Sequence, residues 1–248
     1  MQAKTIDEVI KHLDTIIETA KKEGNPSGYF AALYRKVTKR VKEGILKGDF
    51  EDGARMEKLD VIFANRYLEA YDKFRKGEQP TRSWLFAFNK TNEYGPIVLQ
   101  HLLWGINAHI NLDLGIAAAE TAQGGSLEDL KQDFDKINEL LAELVSDVEQ
   151  ELSQIWPTLK YILTFSGKID DFLINFSMKE ARDGAWKFAN ELYLTKEEDW
   201  EQMIFERDTR ITEVAAYINP PGFIPKIIFR LIRLGERGSV QERIEILE

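Results

Sequence analysis

His109 and Asp113 stand four residues apart in the stretch His101–Gly115, HLLWGINAHINLDLG. On a helix that spacing is about 6 Å along the axis and puts both side chains on one face. An imidazole nitrogen and a carboxylate oxygen placed this way can converge on one divalent ion, and zinc, manganese or iron suits such donors. The same spacing lets the carboxylate accept a hydrogen bond from the imidazole and orient it as a general base. His109 and Asp113 are the candidate metal ligands. His101 and Gly105 fall on the same side, within an arc of about 120°.

His101 is a candidate third ligand or acid–base group. It precedes His109 by eight residues, about 12 Å of helix, which makes one shared ion difficult. A third ligand from another helix would be Asp60, Asp72, Asp170, Asp171 or Asp208, and the sequence does not choose among them. Gln100, Asn107 and Asn111 form a second stripe roughly opposite. It reads as structural, bonded to the backbone of a neighbouring loop. Buried His, Asn and Asp can also form a purely structural network, provided each is hydrogen-bonded.

Two arginines are candidates for holding an anionic substrate. Arg66 lies in DVIFANRYLEAYDKF, whose Phe63, Tyr67, Ala70, Tyr71 and Phe74 mark an aromatic face. Arg182 lies in ARDGAWKFANEL, where Trp186 and Asn190 follow at steps of four. Guanidinium groups match carboxylate or phosphate geometry and stack on rings. Ordinary ion pairs are the structural alternative at both positions. Gly105 leaves room for a ligand, a water or a closely packed helix, and close packing is the simpler explanation.

The elements that must position these groups read as helices throughout. Thr5 caps a first helix with Val9, Leu13, Ile16 and Ile17 at helical spacing. Further helices are expected over about 29–47, 53–76 and 82–90. Gly95-Pro96 opens the helix that carries the quoted stretch and Gly124-Gly125 closes it. Ser126–Asp129 resembles a capping box before a long amphipathic helix to about Gln154, and Thr195 with Glu198 resembles another. Segments 168–194 and 196–218, a short helix to Leu234 and a last one after Gly238 complete the series. No alternating strand pattern, repeat or long linker appears. The expected fold class is all-α, a bundle of about nine or ten helices around a central buried helix, with residues 1–248 as one domain.

Composition bounds the function. The chain has 248 residues, 44% hydrophobic and 30% charged, with a net charge of −9. Disorder and non-specific nucleic-acid binding are both disfavoured. There is no cysteine, which removes disulfides, thiolate metal sites and thiol nucleophiles and fits a cytoplasmic protein. The N-terminus reads as an amphipathic helix, not a secretory leader. No apolar run reaches membrane-spanning length. The tail PPGFIPKIIFRLIRLGER could rest on an anionic membrane surface, but core packing through Ile228, Leu231 and Ile232 is the expected role. Phosphate-binding glycine loops, dinucleotide fingerprints, nucleophile elbows, HExxH and paired ExxH motifs are missing.

PIVLQHLLWGINAHINLDLGIAAAE, preceded by FANRYLEAYDKF and SWLFAFN and followed by ARDGAWKFANEL, resembles a mostly bacterial helical family of unknown function. QHLL-GxNAHINLDLG is the specific part. The resemblance implies an all-α fold and no particular activity. The converging His/Asp stripe motivates the expectation of a metal-dependent enzyme, a hydrolase of a small or lipid-like substrate. His109 and Asp113 would be ligands, with His101, Arg66 and Arg182 in catalytic roles. The alternative is a non-enzymatic ligand- or protein-binding protein whose polar stripe is a structural network.

Overall fold

Thr5 opens the first helix as its residue type predicts. Its hydroxyl accepts from the Glu8 amide, helix α1 runs over Ile6–Glu23, and Gly24 at φ 63° closes it in the left-handed region. The structure is a computed structural model that describes residues 1–157, 178–218 and 222–248. Its further helices are α2 (Ser27–Lys47), α3 (Gly53–Arg75), α4 (Arg82–Lys90), α5 (Val98–Ala108) and α6 (Leu114–Thr121). They continue as α7 (Lys131–Ile155), α8 (Met178–Tyr193), α9 (Trp200–Tyr217), α10 (Phe223–Gly235) and α11 (Val240–Leu247). No strand occurs among the described residues, so the fold is all-α.

The helix predicted from Gly95-Pro96 onward is one run broken by a π-helical segment. Residues His109–Asp113 take the wider turn, and the Leu114 amide reaches back to the His109 carbonyl. Separate naming of α5 and α6 brings the count slightly above the expected one. The run is central: between Ile97 and Ala122 only Leu99, Ile106, Asn111 and Glu120 are less than fully buried. It packs against α2, α3, α4, α8 and α9. A helix apolar on most sides finds its stable place inside such a bundle.

Glycine lets neighbours come close to this run. A Cβ on Gly105 would lie 2.3 Å from Cδ2 of Phe30, and one on Gly115 would lie 2.8 Å from the Ala185 carbonyl oxygen. Both distances are far inside van der Waals contact, so a side chain at either position would push a neighbour away. Gly105 therefore makes room for the Phe30 ring.

Two predicted caps are corrected. Ser126 accepts from the Glu128 amide, a 3₁₀ turn follows, and α7 starts only at Lys131. Thr195 donates to the Glu191 carbonyl and caps nothing; a second 3₁₀ turn leads into α9. In both cases the hydroxyl has a local backbone partner instead, Ser126 in a turn two residues ahead and Thr195 at a carbonyl of the preceding helix. A capping box does form at α11, between Ser239 and Glu242.

Buried carboxylates then fix the helices that matter for the site. Asp208 of α9 accepts from the Arg82 amide and from the Ser83 amide and hydroxyl, capping α4 from outside. Asp133 of α7 accepts from the Glu51 and Asp52 amides just before α3 begins and from Arg55 in its first turn. These clamps set where α3 presents Arg66 and α4 presents Trp84.

Candidate functional site

Asp113 is the hub of the central helix. Its Oδ1 accepts from Arg66 Nε at 2.9 Å. Its Oδ2 accepts from the Trp84 indole at 2.8 Å and lies 3.2 Å from His109 Nδ1. Three elements (α3, α4 and the π segment) thus meet at one carboxylate that is 1% exposed. Arg66 also reaches toward Glu120, at 3.8 Å. A carboxylate buried this deeply is stable only with such charge-assisted partners.

The contact with Asp113 sets the imidazole. Asp113 accepts only, so Nδ1 carries the hydrogen and Nε2 keeps its lone pair. Nε2 is buried and has no protein partner. Around the ring, Phe63 stacks flat at 3.6 Å and 6°, and Tyr34 stands edge-on at 4.4 Å. Phe30, Trp84 and Tyr67 complete the box at 5.7, 5.9 and 6.2 Å. Burial in these rings lowers the His109 pKa, and the Asp113 contact opposes that shift. The imidazole is therefore neutral at pH 7, with one free basic nitrogen. A π segment carrying two such groups is a recurring feature of functional sites.

The structure brings Arg66, His109 and Asp113 together and keeps His101 and Arg182 apart from them. The ring neighbours of His101 are Tyr29 and Trp104. Burial, and then the Arg233 charge, pulls its pKa down to about 3. It lines a cavity of about 20 Å³ with Ser27 and Gly105, on the far side of the Phe30, Tyr67 and Trp84 rings that also surround His109, room for about one water. Arg182 lies over the Phe134 ring at 4.7 Å and donates to the Phe134 carbonyl. Burial lowers its pKa to about 10. It braces α8 on α7 and does not reach Asp113.

The second stripe does bond to backbone, that of helix α9. Asn107 donates to the Ile211 carbonyl and Asn111 donates to Asn107 Oδ1. The Trp104 indole donates to the Ala215 carbonyl, and Gln100 donates to the Ile218 carbonyl while accepting from the Ile97 amide.

An ion between His109 and Asp113 does not fit this donor set. Both Asp113 oxygens are engaged by N–H groups, and one donor is a guanidinium whose charge repels a cation. Among the described residues no three His, Asp or Glu side chains surround an ion-sized position. Of the other carboxylates considered, Asp72 pairs with the N-terminus and Lys76, and Asp208 caps α4. Asp170 and Asp171 lie outside the described residues. Asp60 is buried near Tyr34, whose pKa its charge raises.

Sequence reasoning missed Trp84 and Tyr34. Trp84 lies in SWLFAFN, an apolar stretch that gives no hint that its indole finds a carboxylate on another helix. Tyr34 offers no spacing signal at all. Phe63 and Tyr67 were visible as an aromatic face, though not as the wall around an imidazole.

Over residues 6–221 the chain matches the model of a family of unknown function, DUF5995. No curated protein and no solved structure matches it significantly. Among the described residues no helix is long and apolar enough to cross a membrane. The family match takes in every residue of the His109 site and most of the chain, and the chain belongs to this family of unknown function.

Proposed function

We propose that the protein is an acid–base enzyme of the hydrolase type in which His109 is the general base. The carrying observation is one atom: His109 Nε2, buried, aimed away from Asp113 and without a protein partner. Asp113 fixes the ring and its tautomer, as an orienting carboxylate does in His-dependent hydrolysis. Nε2 would take the proton from a hydroxyl as that oxygen attacks an electrophilic centre of the substrate. The imidazolium would return the proton to the leaving group, stabilised meanwhile by Asp113. Arg66 holds Asp113 in place and acts as a positioning residue. No ion is needed at Asp113 in this reading. The substrate is a small or lipid-like ester or related compound.

His109→Asn tests it. Asparagine keeps an N–H donor toward Asp113 and removes Nε2. Wild type is expected to hydrolyse a member of a p-nitrophenyl ester series from acetate to octanoate, with loss of about 100-fold or more in the variant. Equal turnover by both proteins, or none by wild type above buffer, contradicts the reading.

The second reading, a structural network in a binding protein, is favoured by the way Asp113 ties three elements together. It predicts that His109→Asn changes stability alone.

A further inference from the structure

His109 Nε2 has company. The Tyr34 hydroxyl, Asp60 Oδ2 and the Tyr67 hydroxyl are also buried and without a protein partner, and the first two stand out by coming from elements on either side of the imidazole. They come from different elements: Tyr34 from α2, Asp60 from α3 and His109 from the π segment. The Tyr34 ring is 4.4 Å from the imidazole centroid. Asp60 precedes Phe63 by one helical turn, and Phe63 is the ring stacked on His109. The charges of both Asp60 and Asp113 act on the Tyr34 phenol, after burial itself, to raise its pKa. Tyr34 therefore stands against the histidine and feels the charge of both carboxylates. Thr38 faces the phenol too, but its hydroxyl donates to the Tyr34 carbonyl and lies outside hydrogen-bonding geometry with the phenol oxygen.

A buried polar atom left alone costs about 1–3 kcal/mol. Several of them in one neighbourhood call for a shared partner, and a water needs two to four such groups. We infer that His109 Nε2, the Tyr34 hydroxyl and Asp60 Oδ2 converge on one hydroxyl oxygen, either a water or an alcohol group of the substrate. Asp60 and Tyr34 position that oxygen for the imidazole. The inference rests on reading His109 as a base.

The hydrogen-bond directions are consistent. The hydroxyl donates to Nε2, which can only accept, and accepts from the phenol and from a protonated Asp60 carboxyl. Asp60 Oδ2 has no hydrogen-bond donor beside it, and the residue is 4% exposed. Burial, aided by the Glu57 charge, raises its pKa to about 8, so it holds a proton at neutral pH. An anion would find no positive charge among these three groups.

A high-resolution crystal structure of the full chain, with Tyr34→Phe and Asp60→Leu beside it, tests the inference. The expected result is one oxygen peak within about 3.2 Å of all three atoms. A methanol soak separates the sources: added carbon density marks an alcohol site, and an unchanged peak marks a bound water. Either result supports the shared oxygen. In both variants the peak should be lost and the His109 Nε2 nitrogen resonance should shift. A direct Tyr34–Asp60 hydrogen bond with no third atom would overturn it. So would a metal-like peak at coordination distance, or a His109 resonance unmoved by both variants. The two readings fail separately. A shared oxygen together with full turnover by His109→Asn defeats only the base role. Turnover that needs His109 but ignores both variants, with no oxygen present, defeats only this inference.

Discussion

On one side of the central helix, Gln100, Trp104, Asn107 and Asn111 each bond to a protein group, mostly carbonyls of α9. On the other side, Asp113 is fully engaged while His109 Nε2 next to it is not. Both stripes sit in the same buried helix and carry the same kinds of polar group. A satisfied stripe docks one helix on another. A stripe with an unsatisfied basic nitrogen, beside unsatisfied atoms of Tyr34, Asp60 and Tyr67, differs from it, because each such atom lowers stability unless something else occupies the site.

Substitutions at the two hubs separate them most strongly. Asp113→Ala removes the acceptor from Arg66 and the Trp84 indole and is expected to cost about 3–5 kcal/mol, the range for breaking a buried charged pair. In a chain of this size that lowers the thermal midpoint by roughly 10 °C. Asn107→Ala leaves only neutral groups short, chiefly the Ile211 carbonyl, and should cost about 1–3 kcal/mol by urea denaturation. Equal losses at the two positions would break the distinction between a charged hub and a docking stripe.

Asp60 gives a pH signature that the docking stripe lacks. Its folded pKa of about 8 lies above the unfolded value. The folded state therefore binds the extra proton, and that contribution is fully present below the unfolded pKa and lost as pH rises toward 8. Asp60→Asn does not titrate. Its thermal midpoint should exceed that of wild type at pH 8, and the gap should narrow toward pH 5. A gap independent of pH would mean that Asp60 is charged in the folded protein.

The smallest expected effect concerns metal. Zinc, manganese or ferrous iron added in excess should move the thermal midpoint of wild type by less than about 1 °C, because binding to the native state is what would raise it. A rise of several degrees that His109→Asn abolishes would restore an ion to the site.

Much of this architecture was legible in residue types. Thr5, Gly24 and Gly48 mark real helix ends, and the central helix announced itself by being apolar around most of its circumference. The pairing of His109 with Asp113 followed from a spacing of four, which survives the π segment because the two residues bound it. The partners from other helices were not legible. Arg66 reaches Asp113 across 47 positions and Trp84 across 29, and periodicity carries no information about such distances. His101 shares a stripe with His109 but meets Tyr29 and Trp104 instead. Eight residues of helix separate two side chains however well their angles agree. Ser126 and Thr195 had the right residues for capping boxes, yet nearby backbone groups claimed both hydroxyls.

The central claim is that His109 presents a bare, neutral Nε2 while Asp113 holds Nδ1–H. A long-range proton–nitrogen correlation spectrum of the three histidines reads this directly, with His109→Asn assigning the resonance. The account predicts a neutral ring protonated on Nδ1 and unprotonated on Nε2 at pH 7, and the same state on the alkaline side. A ring protonated on Nε2, or an imidazolium at pH 7, would contradict it.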